Sequence, residues 1–310
     1  MKILESFDVA EKFPNPVLTI GNYDGVHIGH KRIIKKVVTK ASEISGTPML
    51  MTFSPHPHSV LKPDSYIRLI TPQPVKERLV AENGIEVMFQ VPFDERLRSI
   101  SPESFIEDIL VGKLGVAGVI VGYDFRFGKG GTGDVEMLRQ FAQKRGFYFD
   151  VVGAITVDAE KIGSNRIRRL IMEGDVKKAN ELLDRPHMIE GIVVHGVNRG
   201  KSMGFPTINF ETVFELIPHN GVYITEVEFD GKRWPSVTNI GYNPTFDGKK
   251  LLVETHILDY VGDLYDRDVV IYFQDRIREE KKFRDMAELK EQIAADVGTA
   301  RRYFTERPLE

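Results

Sequence analysis

Two histidines three residues apart, His27 and His30, sit in the run Gly21-Asn22-Tyr23-Asp24-Gly25-Val26-His27-Ile28-Gly29-His30. That spacing turns both imidazoles toward one pocket, where they can donate hydrogen bonds to a phosphoryl group as its charge redistributes. Gly21, Gly25 and Gly29 let the backbone come close to a ligand, and Asp24 completes the candidate phosphate-binding set. The apolar run Val17-Leu18-Thr19-Ile20 before it reads as a buried strand. After it, Ile33, Ile34, Val37, Val38, Ala41 and Ile44 recur at helical spacing. The order is strand, glycine-rich turn, helix, and a helix N-terminus supplies free N–H groups and a favourable dipole for phosphate. The competing reading is an ordinary glycine turn with polar surface histidines. Two histidines, three glycines and an aspartate within ten residues weigh against it.

A second glycine-rich turn, Gly122 to Gly131, again follows a short apolar run, Ala117 to Val121. Asp124 there suits a ribose hydroxyl, a base amine or hydrated Mg²⁺, and Arg126 and Lys129 suit phosphate. Further on, Ser164 or Asn165 would cap a helix running to Met172 and stopped by Gly174. Arg166 and Arg168 in its first turn suit a polyphosphate, although arginines on an amphipathic helix are often just solvated. In the second half, Gly196, Gly200 and Gly204 punctuate a loop with Arg199 and Lys201, a candidate flap over phosphates. Thr207 and Asn209 alternate with Ile208, so their oxygens can point one way toward Mg²⁺. Glu254 lies on a segment of alternating polarity and is either a solvated carboxylate or a base for a hydroxyl attacking a γ-phosphoryl group. Spacing alone does not decide between these.

These groups need a scaffold. A chain of 310 residues implies about two domains. Its net charge of −3 argues against a broad grip on nucleic acid, so phosphates must be held locally or through Mg²⁺. The absence of cysteine excludes disulfides, thiolate metal sites and cysteine nucleophiles. Met1 to Ser6 lacks a long apolar stretch and no run of about twenty apolar residues occurs, so a soluble cytoplasmic protein without membrane contact is expected. In the first half, strands at Met49 to Phe53, Val87 to Val91, Ala117 to Val121 and Phe147 to Val152 alternate with helices at Pro74 to Glu82, Pro102 to Leu114 and Asp134 to Lys144. This pattern predicts an α/β doubly wound parallel sheet. Asp175 to Leu183 reads as a short helix broken by Asp184-Arg185-Pro186, and we place the domain boundary there, giving 1–184 and 185–310. Beyond it, strands at Met188 to Val194, Val222 to Phe229, Arg233 to Ile240, Leu251 to Leu258 and Val269 to Phe273 predict an antiparallel barrel or sandwich. Asp230-Gly231 marks a hairpin. The stripe Met286, Leu289, Ile293, Val297, Ala300 and Phe304 predicts a C-terminal helix covering the barrel, a packing face.

The His-Ile-Gly-His string resembles the signature of the nucleotidyltransferase superfamily that transfers adenylyl groups. With Phe53-Ser54-Pro55-His56-Pro57, Gly122 to Gly128 and Gly163 to Arg168, the first half resembles the adenylyltransferase module of the bacterial bifunctional riboflavin kinase/FMN adenylyltransferase (FAD synthetase) family. Gly191 to Asn209, Gly221-Val222-Tyr223, Asn239 to Phe246, Val253-Glu254 and Asp275 to Arg278 resemble that family's riboflavin kinase module. The resemblance implies a Rossmann-like nucleotidyltransferase domain, then a six-stranded antiparallel β-barrel. It implies riboflavin, FMN and ATP as substrates with Mg²⁺, Thr207 and Asn209 as Mg²⁺–ATP ligands, and Glu254 as the base. It also places His195, Gly196, Arg199, Gly200, Lys201, Gly204, Pro206, Asn239 and Arg276 around the kinase's ATP and flavin. Nucleic acid is not expected as a partner, and self-association is expected to be weak at most. Gly163 and Asn165 stand where the family usually has hydroxyl residues, as Asp184 and Asp266 stand where it has glycine. The first pair motivates one alternative, a kinase with weak or lost adenylyl transfer; a non-catalytic flavin-sensing protein that retains the fold is the other.

Overall fold

The structure, a computed structural model, describes residues 1–8, 11–62, 64–195, 204–245 and 248–308, with the backbone alone at 243–245 and 248–250. Its contacts divide it into two compact units, Met1–Ser164 and Asn165–Glu310. In the first, β1 (Lys2–Leu4), β2 (Val17–Ile20), β3 (Pro48–Ser54), β4 (Val87–Pro92), β5 (Gly118–Gly122) and β6 (Tyr148–Val152) form one parallel sheet. The order is β1-β4-β3-β2-β5-β6. The inner strands are nearly continuous apolar runs because both faces are covered: Val17, Leu18, Met49, Leu50, Met51, Met88 and Phe89 are all buried. From β2 the chain winds through β3 and β4 on one side, then returns to lay β5 and β6 on the other. Leu18 lies opposite Val119, so β2 and β5 are neighbours and their ends mark the reversal of strand order, where such sheets open a crevice. The helix Ile28–Glu43 leaves β2 and buries Ile34, Val37 and Ala41.

Two local features depart from expectation. The segment expected as one helix from Pro102 starts under a Ser101 cap, with Ser104 N donating to Ser101 Oγ at 3.1 Å. From Phe105 to Lys113 it is a π-helix, its wider bonding seen where Leu114 N donates to Ile109 O at 2.9 Å. That turn brings Phe105, Ile106, Ile109 and Leu110 onto the core together. A short hairpin, β7 (Thr156–Val157) and β8 (Glu160–Lys161), was not anticipated. Its turn residues Asp158 and Ala159 have φ of 55° and 62°, a left-handed pair without the usual glycine to announce it.

The second unit begins with the helices Ser164–Glu173, whose first residue belongs to the first unit, and Val176–Leu183. The contacts thus divide the chain after Ser164, earlier than the expected break at Asp184-Arg185. Asn180 anchors the second helix: its amide donates to Phe273 O at 2.7 Å and its Oδ1 accepts from His187 N at 2.7 Å. Strands β9 (His187–Val194), β10 (Ile208–Glu211), β11 (Gly221–Phe229), β12 (Lys232–Thr245), β13 (Gly248–Ile257) and β14 (Asp268–Arg278) close a barrel in the order β10-β13-β12-β11-β14-β9. Every neighbouring pair is antiparallel. A chain of hydroxyls runs through its buried interior, Ser236 to Thr225 at 2.8 Å, Thr225 to Thr238 at 2.7 Å and Thr238 to Thr255 at 2.8 Å. The Asp230-Gly231 hairpin is present, with φ of 51° and 70°. Asp184 and Asp266, which stand at expected glycine positions, hold φ of 56° and 60°, so the backbone keeps the left-handed form and aspartate tolerates it. The C-terminal helix spans Met286–Glu306.

Barrel closure leaves no room at Gly191, where an added Cβ would lie 2.1 Å from Glu211 O. Gly191→Ala is expected to destabilise the second unit by about 1–3 kcal/mol. The test is a urea titration followed by fluorescence of Trp234, the only tryptophan; the midpoint should fall with no change in slope.

Candidate active site

The loop after β2 delivers both histidines to a cleft of about 850 Å³ at the crevice between the ends of β2 and β5. Gly21, Tyr23, His27, Gly29 and His30 line one wall, Gly122, Asp124, Phe125, Arg126 and Lys129 another. His27 is the N-cap of its helix, with Nδ1 accepting the backbone N–H of His30 at 3.4 Å. A nitrogen that accepts carries no proton, so the neutral His27 ring holds its hydrogen on Nε2. His30 stacks on His27 with ring centroids 3.6 Å apart, and Tyr23 packs against His30 at 4.8 Å. Gly29 makes this stack possible, since a Cβ there would meet the His27 ring at 3.0 Å. Burial pulls the His27 pKa down to about 4. Burial also takes His30 well below its ordinary value, helped by His27 and by Lys76. Both rings are therefore neutral near pH 7.

Asp24 and Gly25 do not line the cleft. Asp24 is buried, and its Oδ1 accepts from Ile70 N at 2.9 Å, Thr71 N at 3.1 Å and Thr71 Oγ1 at 3.4 Å. Gly25 N donates to Thr71 Oγ1 at 3.0 Å. The aspartate expected at phosphate is a tie between two loops. Ser164 does line the cleft, but as the first residue of its helix rather than a cap, and its Oγ donates to Asp24 O at 2.9 Å. Arg166 and Arg168 fall in the second unit, where Arg168 NH1 donates to Asn165 Oδ1 at 2.7 Å. The sequence reading missed an aromatic half of the cleft, formed by Phe53, Phe93, Phe105, Phe125 and Phe127. Phe125 and Phe127 lie parallel at 5.6 Å, and Phe53 meets Phe93 edge-on at 5.6 Å. The alternation Phe125-Arg126-Phe127 beyond a strand end was the available signal.

In the second unit a cleft of about 370 Å³ lies on the outer face of the barrel, under the C-terminal helix. Thr207, Asn209, Asn239 and Glu254 all line it. Register explains their convergence: Asn209 pairs with Glu254, and Glu254 pairs with Asn239, so three polar side chains form one row across β10, β13 and β12. Alternation sends their neighbours Thr238 and Thr255 to the interior hydroxyl chain. The apolar stripe of the C-terminal helix does more than pack, because Leu289, Ile293 and Val297 form a wall of this cleft. Asp296 beside them is buried and takes the fork of Arg278, with Nε at 3.0 Å and NH2 at 2.8 Å.

Arg276, expected at this cleft, is not in its wall; Arg278 is. Arg278 pairs with Val222 and Arg276 with Tyr223, so β14 advances two residues while β11 advances one. This bulge puts the two arginines on opposite faces. Arg276 instead donates to Asn220 O and reaches His219 Nδ1. His195 is exposed and stacked on Tyr265 at 3.8 Å, outside the cleft wall. Pro206 O accepts from His256 Nδ1 at 2.7 Å, and Gly204 sits in a turn at φ 89°. Gly196, Arg199, Gly200 and Lys201 lie outside the described residues.

A doubly wound sheet with a histidine-lined cleft at its switch point, followed by a barrel bearing a carboxylate between two amides, fits a two-module transferase acting on nucleotides. Comparison with known proteins sharpens this. The FAD synthetase family model matches residues 10–166 and the riboflavin kinase family model residues 183–304. The chain is 38% identical to the bifunctional riboflavin kinase/FMN adenylyltransferase of Bacillus subtilis, covering 96% of this chain and 95% of that one. It is 36% identical to the Pseudomonas fluorescens protein of the same name, covering 92% of each, and 35% identical to that of Escherichia coli K12, covering 98% of each. A crystal structure described as a macrolide-efflux protein from Streptococcus pneumoniae superposes with a TM-score of 0.89 at 28% identity, over 96% of this chain and 98% of that one. This chain belongs to the bifunctional riboflavin kinase/FMN adenylyltransferase family. Among the described residues no helix is long and apolar enough to cross a membrane.

The buried histidines make a test. Burial also brings His187 of the barrel down to about 3. In the unfolded chain each takes up a proton near 6.5, so between 6.5 and these lower values the unfolded state binds more protons. Stability contributed by keeping them neutral is complete above pH 6.5 and is lost as pH falls toward 4 for His27 and 3 for His187. Histidine side-chain NMR at pH 6 should show both rings neutral, and the urea midpoint should be lower at pH 5 than at pH 7.

Proposed function

We infer that this chain makes flavin cofactors in two steps, as its family does: riboflavin and ATP to FMN and ADP, then FMN and a second ATP to FAD and pyrophosphate. The observation that carries the first step is the Asn209–Glu254–Asn239 row, a carboxylate fixed between two amides on adjacent strands at a cleft. There Glu254 accepts the proton of the riboflavin 5′-hydroxyl as its oxygen attacks the γ-phosphorus of ATP. Thr207 and Asn209 offer a hydroxyl and an amide oxygen beside it, a donor set that suits a hard cation retaining several waters. They would hold Mg²⁺, which when bound neutralises charge on the ATP phosphates. Leu289, Ile293, Val297, Phe205 and Leu252 give the same cleft an apolar side for the flavin ring.

For the second step, an oxygen of the FMN phosphate attacks the α-phosphorus of ATP and pyrophosphate leaves. No proton transfer and no covalent enzyme intermediate are needed. The chemistry asks for alignment and for donors aimed at the phosphoryl oxygens, and the His27 Nε2–H at a helix N-terminus is such a donor. His30, Gly21 and Gly29 complete the cradle; Asp124 suits the ribose or base, and the phenylalanine half of the cleft suits the isoalloxazine ring. Asp24, Gly25 and Ser164 act by holding the loop, and Arg166 and Arg168 remain candidates for the polyphosphate. Of the kinase residues, His195, Gly196, Arg199, Gly200, Lys201, Gly204 and Pro206 remain assigned to the ATP and flavin surroundings on resemblance alone. We assign the adenylyl module residues 1–184 and the kinase module 185–310, in a cytoplasmic protein without a nucleic-acid partner and with at most weak self-association.

A kinase with weakened adenylyl transfer is the second reading. It is favoured by Gly163, which has no hydroxyl, and by Asn165, whose side-chain oxygen is taken by Arg168. Chromatography of flavins after incubation with ATP and Mg²⁺, started from riboflavin and separately from FMN, decides between them. Glu254→Gln should lower FMN formation by about 10²–10⁴-fold and leave FAD formation from added FMN intact. The double variant His27→Ala, His30→Ala should do the reverse. Unimpaired phosphorylation by the Glu254 variant would overturn its assignment as base.

A further inference from the structure

The wall that the C-terminal helix gives the barrel's cleft is apolar except at one residue. Leu289, Ile293 and Val297 recur at helical spacing, and Val297 packs against Val222 and Val237 of the barrel. Apolar contact is non-directional, so a stripe of this kind tolerates a small roll or slide of its helix. Such a shift would keep the core covered and still change the width of the cleft. Asp296, one residue before Val297, is 3% exposed. Its Oδ2 accepts from Arg278 Nε at 3.0 Å and NH2 at 2.8 Å, and its Oδ1 accepts from Gln292 Nε2 at 2.9 Å. The arginine is fixed in turn. Its NH1 donates to Glu279 O at 3.0 Å, and its guanidinium lies 5.7 Å from the ring centroid of Phe283, another residue of the wall. Arg278 and Asp296 themselves line the cleft. A buried ion pair adds little net stability, because desolvation of both charges offsets their attraction, but a forked pair is exacting in geometry.

We propose that Arg278 and Asp296 are a pair of positioning residues for riboflavin, pinning the C-terminal helix to the barrel in the one register that presents Leu289 and Ile293 to the flavin ring. The inference rests on the reading that this wall takes the ring. Val297 is buried against the barrel, whereas Leu289 and Ile293 are half-buried and keep apolar surface open to the cleft. The pair acts through that surface, so its loss has a definite signature. Thr207 and Asn209, assigned to Mg²⁺ and ATP, lie on the barrel and not on the helix. A helix free to shift therefore weakens riboflavin and leaves ATP as it was. A pair that only stabilised the fold would do something else: its loss would reduce the folded fraction, lowering turnover with both Michaelis constants unchanged.

The test uses the full-length protein and the kinetics of riboflavin phosphorylation with ATP and Mg²⁺. Two variants are compared with the parent. Arg278→Lys keeps a positive charge beside Asp296 but not the fork. The double variant Arg278→Met, Asp296→Leu removes both charges and leaves neither buried alone, so its urea midpoint, read from Trp234 fluorescence, should not fall. The KM for riboflavin should rise by about 10-fold or more in both variants, with the KM for ATP at the parent's value. Titration of riboflavin in the presence of ADP and Mg²⁺, followed by flavin fluorescence, should show the same loss of affinity without turnover. An unchanged riboflavin KM in the folded double variant, an equal rise in both KM values, or a lower kcat alone would each overturn the proposal. Should the double variant not fold, Arg278→Lys decides: the parent's riboflavin KM there would overturn it equally. Leu289→Ala separates the two levels. If it keeps the parent's riboflavin KM, the reading of the wall fails; if it raises that KM while the pair variants do not, only the role of the pair fails.

Discussion

The first site depends on one buried carboxylate. Asp24 accepts the backbone N–H groups of Ile70 and Thr71, and its own carbonyl takes the hydroxyl of Ser164. Segments distant in sequence are thereby held around one loop. That loop needs holding. Tyr23 and Val26 are buried at φ of 51° and 41°, a region costing non-glycine residues about 1–3 kcal/mol each. A β-branched residue persists there only when its surroundings leave no alternative. The order follows: the Asp24 bonds enforce the strained loop, the loop sets His27 as N-cap, and the cap fixes which imidazole nitrogen carries hydrogen.

The barrel reaches the same end by register. Asn209, Glu254 and Asn239 sit abreast because their strands pair at those residues, and a slip by one position would turn each of them inward. Beneath them the hydroxyl chain through Thr238 and Thr255 resists such a slip, since it is satisfied only in this alignment. One module positions its groups through a strained loop and the other through a ladder. The ladder does not require unusual backbone at the residues it aligns.

This contrast explains what was legible in the sequence. The strands β2 to β6, the barrel and the Thr207, Asn209, Asn239 and Glu254 set were readable because apolar runs, alternation and long motifs carry them. The roles of Asp24 and Arg276 were not. Asp24 is recognisable as a loop tie only once the loop at Ile70 and Thr71 is known to lie beside it, and Arg276 trades faces with Arg278 through a bulge that no local pattern announces. The phenylalanine half of the first cleft was missed because its members come from four separate segments, and each alone looks like core. The stripe on the helix Met286–Glu306 was read as packing for the same reason: apolar periodicity shows that a face is covered, and not whether a ligand shares the covering.

The position of that helix has a consequence for how the enzyme comes into being on the ribosome. Chains emerge at about 5–20 residues per second and domains fold as they appear. The sheet, with its histidine cradle, is complete once Ser164 has emerged, whereas the barrel's cleft lacks a wall until Leu289, Ile293 and Val297 have been synthesised. The half that consumes FMN is thus assembled before the half that produces it. A chain ending before Leu289 would keep the half that consumes FMN and lack the wall that the half producing it needs.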